Sequence, residues 1–340
     1  MRAAVLHGKE DVRIERVAEA ALEAGEVRVA IQAALTCGTD LKVFKRGYHA
    51  KMIQPPAVFG HEFAGVISEA HPATEGWKLG ERVVAANSAP CGECFYCHHG
   101  QENLCDDLLF LNGAYAESIV VPARIVAKNL LRLRDKTDFA DAALAEPLAC
   151  VAEGVADLGL QGHERVLVIG SGPIGLMFVA LARHLGCTVT LAGRGEARLK
   201  TAEGLGAVII EIAADVELVG KIRAARRTFD VVIEATGKPE VWEAAVQLVR
   251  KGGMVNLFGG CPAGTSVRFD SGLLHYSSLR LIASFHHTPQ TFRSALELIE
   301  QGVISARDFV NGSCTLDQLP ELLKSMAQGN RAVKTQVRPA

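Results

Sequence analysis

Arg165–Arg183 reads RVLVIGSGPIGLMFVALAR, and the interpretation of this stretch decides the fold. A run of branched apolar residues, Val166 to Ile169, breaks at Gly170-Ser171-Gly172-Pro173-Ile174-Gly175. Apolar residues then recur at Ile174, Met177, Phe178, Leu181 and Leu185, so the period changes from strand to helix across the glycines. A strand that turns through glycines into a helix gathers backbone N–H groups and the positive end of a helix dipole at one place, which suits a bound pyrophosphate. In this reading Gly170 makes the tight turn, Gly172 lets the backbone approach the phosphates, and Gly175 lets the helix pack on the strand. The whole turn, Pro173 and Ile174 included, is the expected cofactor-binding segment. The rival readings are a buried glycine turn and a membrane span. Against the span, arginines close both ends of the run and polar or helix-breaking positions interrupt it.

Outward from the turn, apolar strands recur with helical segments between them, at Val166–Ile169, Thr188–Leu191, Val208–Ile210, Val231–Glu234, Val255–Phe258 and Leu279–Ala283. Six strands alternating with helices make a doubly wound parallel sheet, and the chain belongs to the α/β class. The end of the second strand selects the cofactor. An NAD-binding fold carries an acidic residue about 20 positions after the glycines to accept hydrogen bonds from the ribose, whereas arginine there suits the 2′-phosphate of NADP. Here Gly193 takes the acidic place, Arg194 follows, and Arg198 lies one helical turn on, which favours NADP(H) over NAD(H). The alternative is that both arginines are solvated and Glu196 takes the ribose.

The 340 residues can bury a large core and make two domains. With 36 basic and 38 acidic residues the net charge is −2, so no basic field draws nucleic acid or an anionic membrane. The N-terminal MRAAVLHGKEDVRIERV has charges where a signal peptide needs an apolar run, and the expected location is cytoplasmic. Of nine cysteines, four are bunched between Cys91 and Cys105, a distribution that suits reduced or metal-bound thiols better than a disulfide framework.

Residues 1 to about 35 alternate apolar and polar in short stretches (Ala3–Leu6, Val12–Ile14, Val27–Ile31), as β-strands of a barrel-like domain do. Cys37-Gly38-Thr39-Asp40, Gly60-His61-Glu62 and Glu146-Pro147-Leu148 follow. Each lone cysteine or histidine has a plain structural reading, but together these segments supply a thiolate, an imidazole and carboxylates, a set able to hold zinc with one position open. Lys42–His49 is either a solvated basic loop or the lining of a site for a polyhydroxylated or phosphorylated substrate. Cys91, Cys94, Cys97 and Cys105 have the spacing that wraps one tetrahedral zinc, and with all four positions filled by protein that metal is structural.

These motifs, in this order, resemble the zinc-containing medium-chain dehydrogenases over essentially the whole chain. The Glu146-Pro147-Leu148 segment is similar to the polyol, threonine and sugar dehydrogenase branch. The resemblance implies a GroES-like β-barrel catalytic domain from residues 1–150 and 288–340, with a structural zinc lobe at 88–108, and a Rossmann domain at 151–287. It places Cys37, His61 and Glu146 around a catalytic zinc, with Glu62 as an exchangeable ligand or close neighbouring carboxylate; Cys150 stands as an alternative to Glu146. Thr39 would hydrogen-bond the alcohol oxygen and begin a proton relay. Lys42 stands where polyol and threonine dehydrogenases commonly have histidine, so the outer relay and the substrate need not follow the branch. Thr236 and Phe258 fall at strand ends beside the ribose and nicotinamide, and His286 and His287 fall near the substrate or at a subunit interface. A homodimer or homotetramer is implied.

The expected activity is NADP(H)-linked interconversion of a secondary alcohol and a ketone on a polyol, cyclitol or sugar derivative, with one catalytic and one structural Zn²⁺. Two rivals are a zinc-independent NADPH reductase of activated double bonds and a non-catalytic NADPH-binding protein.

Overall fold

A computed structural model describes residues 1–49, 52–329 and 332–339. The chain divides into two compact units, one of Met1–Ala149 with His287–Ala340 and the other of Cys150–His286. Among the described residues no helix is long and apolar enough to cross a membrane.

The second unit is built on a six-stranded parallel sheet. Its strands are Arg165–Ile169, Thr188–Gly193, Val208–Glu211, Phe229–Glu234, Val249–Leu257 and Arg280–Ile282. Numbered in chain order, they lie across the sheet as 3-2-1-4-5-6, the order of a Rossmann fold. Parallel strands covered on both faces read as continuous apolar runs, which is why the inner four were visible in the sequence; the edge strands Val208–Glu211 and Arg280–Ile282 have no buried residue and showed only as short branched runs. The fifth starts earlier than its apolar run, because Arg250, Lys251 and Gly252 extend it as an exposed lead-in. Asp230 ties the starts of three strands together: it accepts from Arg165 N–H at 2.8 Å, Arg165 Nε at 2.9 Å and Arg250 Nε at 2.6 Å.

In the first unit, Val27–Leu35 is the central strand of a seven-stranded sheet. It pairs antiparallel with Glu62–Ala70, Ser118–Val121 and Lys334–Arg338. Register shifts between Arg28 and Val29 and between Ile31 and Ala33 bend it, as bulges do, into a barrel-like wall. Val29, Ile31, Phe59, Phe63 and Tyr115 fill the interior. Two pairings position the chemistry. Leu35 lies opposite Glu62, which sets Cys37 beside His61, and Leu35 also lies opposite Gln336, which brings Lys334 to the same place.

After Thr288 the sequence suggests two amphipathic helices and a closing strand. The helices are Pro289–Glu300 and Leu319–Ala327, and the closing strand is Lys334–Arg338. A further strand, Val310–Thr315, pairs in parallel with it. That segment, VNGSCT, has one fully buried position and so no apolar alternation to betray it.

Hydrogen bonds from Arg165, opposed by partial burial and aided by Arg250, hold the Asp230 carboxyl well below the usual carboxylate range. A group whose folded pKa is depressed stabilises fully above its unfolded pKa and loses that contribution as pH falls. Asp230→Asn should therefore lower the melting temperature at neutral pH, and calorimetry should show the gap to wild type narrowing as pH drops below about 4.

Candidate active site

Cys37 begins the helix Gly38–Arg46 as its N-cap. Its Sγ accepts from the Thr39 N–H at 3.4 Å, and its own N–H donates to the Asp40 carboxylate at 2.9 Å. The CGTD segment is thus a reciprocal capping box that aims a thiol and buries a carboxylate. Asp40, 1% exposed, also accepts from the Tyr115 hydroxyl at 2.5 Å, and its other oxygen lies 3.2 Å from His61 Nδ1. A proton on Nδ1 facing that carboxylate leaves Nε2 as the ligating atom, the arrangement by which carboxylates orient metal-binding histidines. Burial alone would lower the His61 pKa, but the charge and hydrogen bond of Asp40 raise it well above its ordinary value. A metal binding here would therefore displace a proton.

Ligand atoms of Cys37, His61 and Glu62 all lie within 4.8 Å of one another. Glu62 is buried, and both its oxygens meet Lys334 Nζ, at 2.7 and 2.5 Å. Lys334 also donates to the Thr36 carbonyl at 3.1 Å. Burial works against the Glu62 charge, and Lys334 works to retain it. Glu146 sits in the first turn of the helix Ala145–Leu158 and is not one of the three mutually close donors. Burial pushes its pKa up to about 7; the His61 charge opposes this and Glu62 adds to it. Thr39 is half-buried beside Cys37, whereas Lys42 is exposed on the same helix and has no part in the buried cluster. His287 is buried, with Nε2 3.2 Å from Asn87 Oδ1, and burial lowers its pKa to about 4. It is an interior histidine.

The four lobe cysteines are free thiols drawn together, with Sγ–Sγ distances of 3.9 Å (Cys91–Cys97), 3.6 Å (Cys94–Cys97) and 3.5 Å (Cys91–Cys105). A tetrahedron of sulfurs about 2.3 Å from zinc has edges of about 3.8 Å, so the set fits that ion. Backbone N–H groups of Gly92, Glu93 and Cys94 point at the sulfurs from 3.3 to 3.4 Å. Such donors favour thiolates: the N–H groups of Glu93 and Cys94 lower the Cys91 pKa, and those of Cys97 and Asp106 draw Cys94 down to about 6, while burial pushes Cys97 up to about 12.

In the second unit the glycine turn fits a pyrophosphate. A Cβ on Gly175 would stand 1.9 Å from the Gly170 carbonyl oxygen, so helix and turn touch only because position 175 has no side chain. Gly172 caps the helix Pro173–His184 without a side-chain acceptor, which leaves the first-turn N–H groups of Ile174 and Gly175 for a ligand. Gly193 ends the second strand, and a Cβ there would lie 2.7 Å from the Ser171 Cβ. The Ser171 hydroxyl donates to the Arg194 carbonyl at 2.6 Å and accepts from the Arg194 N–H at 3.2 Å. The Thr236 N–H donates to buried Glu234 at 2.7 Å and its hydroxyl to the same oxygen. The Phe258 ring packs edge-on against Phe178 at 4.9 Å. Asp40, Tyr115, Lys334, Ser171 and Glu234 are the supporting residues that sequence reasoning did not single out. Only Asp40 had a signal, its place three residues after Cys37 in a capping pattern.

Comparison with known proteins meets this geometry. Residues 23–131 match the alcohol dehydrogenase GroES-like domain, and residues 173–301 match the zinc-binding dehydrogenase domain. D-altritol 5-dehydrogenase of Agrobacterium fabrum is 33% identical, over 84% of this chain and 84% of that protein. The chain belongs to the zinc-containing medium-chain alcohol dehydrogenase family. Like other members of this family it is an oxidoreductase of CH–OH groups. Sorbitol dehydrogenase of Bacillus subtilis is 27% identical over the whole of this chain and 97% of its own length. An NADP-bound structure of a candidate zinc-binding dehydrogenase from Sinorhizobium meliloti 1021 superposes with a TM-score of 0.89 at 30% identity, covering 99% of both chains. The family fold is the one the sequence led us to expect, a GroES-like domain with a six-stranded Rossmann sheet.

Removing one partner of a buried ion pair leaves the other charged and unpaired, at a cost of about 3–5 kcal/mol. Lys334→Met should lose stability on that scale in chemical denaturation, and Glu62→Gln/Lys334→Met should regain most of it. An equally unstable double variant would show that packing, not charge, holds this corner.

Proposed function

We propose that this dehydrogenase interconverts a secondary alcohol and a ketone on a polyol, cyclitol or sugar derivative, using NADP(H) in preference to NAD(H). The observation that carries the reading is the approach of Cys37, His61 and Glu62 within 4.8 Å, with Asp40 behind the histidine. We assign Cys37 and His61 to a catalytic zinc, Glu62 or Glu146 as its carboxylate partner, and Cys91, Cys94, Cys97 and Cys105 to a structural zinc. When bound, the catalytic zinc supplies Lewis acidity toward a hydroxyl oxygen and the nicotinamide a carbon that exchanges hydride.

The chain's own residues do the rest. Asp40 holds the Nδ1 proton of His61, so Nε2 stays a donor of electrons. Lys334 Nζ meets both oxygens of Glu62 and so fixes that carboxylate beside Cys37 and His61. Thr39 has a hydroxyl beside Cys37 to take the substrate's proton outward. Lys42, exposed where a relay histidine is usual in related dehydrogenases, ends that path in solvent.

Support for the substrate class comes from the altritol and sorbitol dehydrogenases among the relatives. Support for NADP(H) comes from Arg194, with Ser171 filling the space that an acidic side chain at position 193 would enter. The NADP-bound relative agrees with it.

Cys37→Ala and His61→Ala should abolish turnover while fluorescence titration shows NADPH binding retained. Metal analysis should find two zinc per chain in the wild type and one in these variants; one or none in the wild type would favour the double-bond reductase. In a panel of polyols, cyclitols and their phosphates, run with NADP⁺ and NAD⁺ in parallel, at least one polyhydroxylated substrate should be oxidised faster with NADP⁺. Activity confined to simple alcohols would overturn the substrate class.

A further inference from the structure

The carboxyl ends of the strands in the second unit hold the glycine turn, and the amino ends hold a cavity of about 250 Å³ with no part in it. Arg165 and Thr188 open their strands at this cavity, and Arg226, Arg227 and Thr228 form the turn between the helix Leu218–Ala224 and the strand Phe229–Glu234. Thr190 follows Thr188 by two residues and so stands on the same face of its strand.

The lining has three arginines and no carboxylate. Arg165 is spent on Asp230, at 2.9 Å, and its role there is structural. Arg226 and Arg227 differ from it: both are exposed, and among the described residues neither guanidinium has a hydrogen-bond or ion-pair partner. The acids nearest to the lining residues in the chain are all engaged elsewhere. Glu164 accepts from the N–H groups of Gln161 and Gly162, and Glu217 pairs with Lys221. Asp230 takes both Arg165 and Arg250, and Glu234 lies at the far end of its strand, where it accepts from Thr236. A neighbouring cavity of about 320 Å³ makes the contrast. Glu164 and Asp230 line it together with Arg250 and Arg280, so its cations meet acids of the protein itself.

The hydroxyls point the same way. Thr190 is only 1% exposed, yet it lines the smaller cavity, and its hydroxyl has no partner among the described residues. Valine would suit a buried strand position as well and would leave no polar atom unsatisfied. With Thr188 and Thr228 beside it, this hydroxyl has an acceptor only when one enters from outside. A phosphate group carries about −1.5 to −2 near neutral pH with three acceptor oxygens, which two guanidiniums and a hydroxyl can neutralise and bond.

We propose that this cavity binds a phosphate group, free or borne on a small metabolite, with Arg226 and Arg227 supplying the charge and Thr190 a hydrogen bond from the floor. The glycine turn lies at the opposite ends of the strands, so this ligand is a second one, distinct from the cofactor, and the inference does not rest on the NADP(H) reading.

Isothermal titration of the full chain, loaded with zinc and saturated with NADPH so that other anion sites are filled, tests it with two probes, inorganic phosphate and glycerol 3-phosphate. At least one should bind. Tighter binding of the ester assigns the site to a phosphorylated metabolite, and tighter binding of the ion assigns it to free phosphate. Arg226→Gln and Arg227→Gln should each weaken the better probe about tenfold, the loss of one charge-assisted contact, with NADPH affinity and melting temperature unchanged. Thr190→Val should weaken that probe too, while the ligand-free protein melts no lower than wild type. Failure of both probes to bind at millimolar concentration would overturn the proposal. Equal binding by wild type and the Arg226→Gln/Arg227→Gln variant would overturn it as well. Unaltered binding by Thr190→Val would remove the hydroxyl from the site.

Discussion

Asp40 is shut off from water and is approached from three directions, by the Cys37 N–H, the Tyr115 hydroxyl and the His61 ring. Burying an ionised carboxylate without partners costs many kcal/mol, so its charge survives only while all three stay in place. The geometry follows in both directions along the chain. The same contacts start the helix Gly38–Arg46, aim the Cys37 thiol and choose the His61 tautomer. Cys37 and His61 are the residues we assign to zinc, and their mutual placement is set by the Asp40 side chain behind them.

The second unit uses a carboxylate in a similar way. Glu234 is buried at the end of its strand, and its oxygens collect the N–H groups of Thr236 and Gly237. Burial raises its pKa, and those hydrogen bonds act against the rise. The cost of this arrangement falls on Thr236, whose hydroxyl is spent on Glu234. Phe258 likewise anchors its strand end to the helix through Phe178. Both residues were assigned to the cofactor on sequence, and in the fold both have clear structural work.

What could be read from the sequence was local. The glycine turn, the buried parallel strands and the close-set cysteines each lie within one short stretch, so spacing alone carries their geometry. Cys37 and His61 were legible from the ligand set that their segments supply and from the resemblance to the family, whereas the strand pairing that joins them was not. Lys334 was not, because 272 residues separate it from Glu62 and nothing around it distinguishes it from a surface lysine. The link between Ser171 and Arg194 was hidden for another reason: a serine inside a glycine-rich turn reads as turn chemistry until the next strand is laid beside it. Among the carboxylates, sequence favoured Glu146, while in the fold Glu62 has a ligand atom within 4.8 Å of those of Cys37 and His61.

Lys334 has a consequence for the order of assembly. The strand that delivers it is the last of the sheet in chain order, and it inserts beside Val27–Leu35, formed from some of the earliest residues. Until that late strand docks, Glu62 has no cation and the corner around Cys37 stays unfinished, whereas the cysteine lobe closes over 14 residues and needs nothing so distant. On the ribosome, the lobe can gather its sulfurs early, but the corner around Cys37 has to wait until Lys334, 272 residues after Glu62, has emerged.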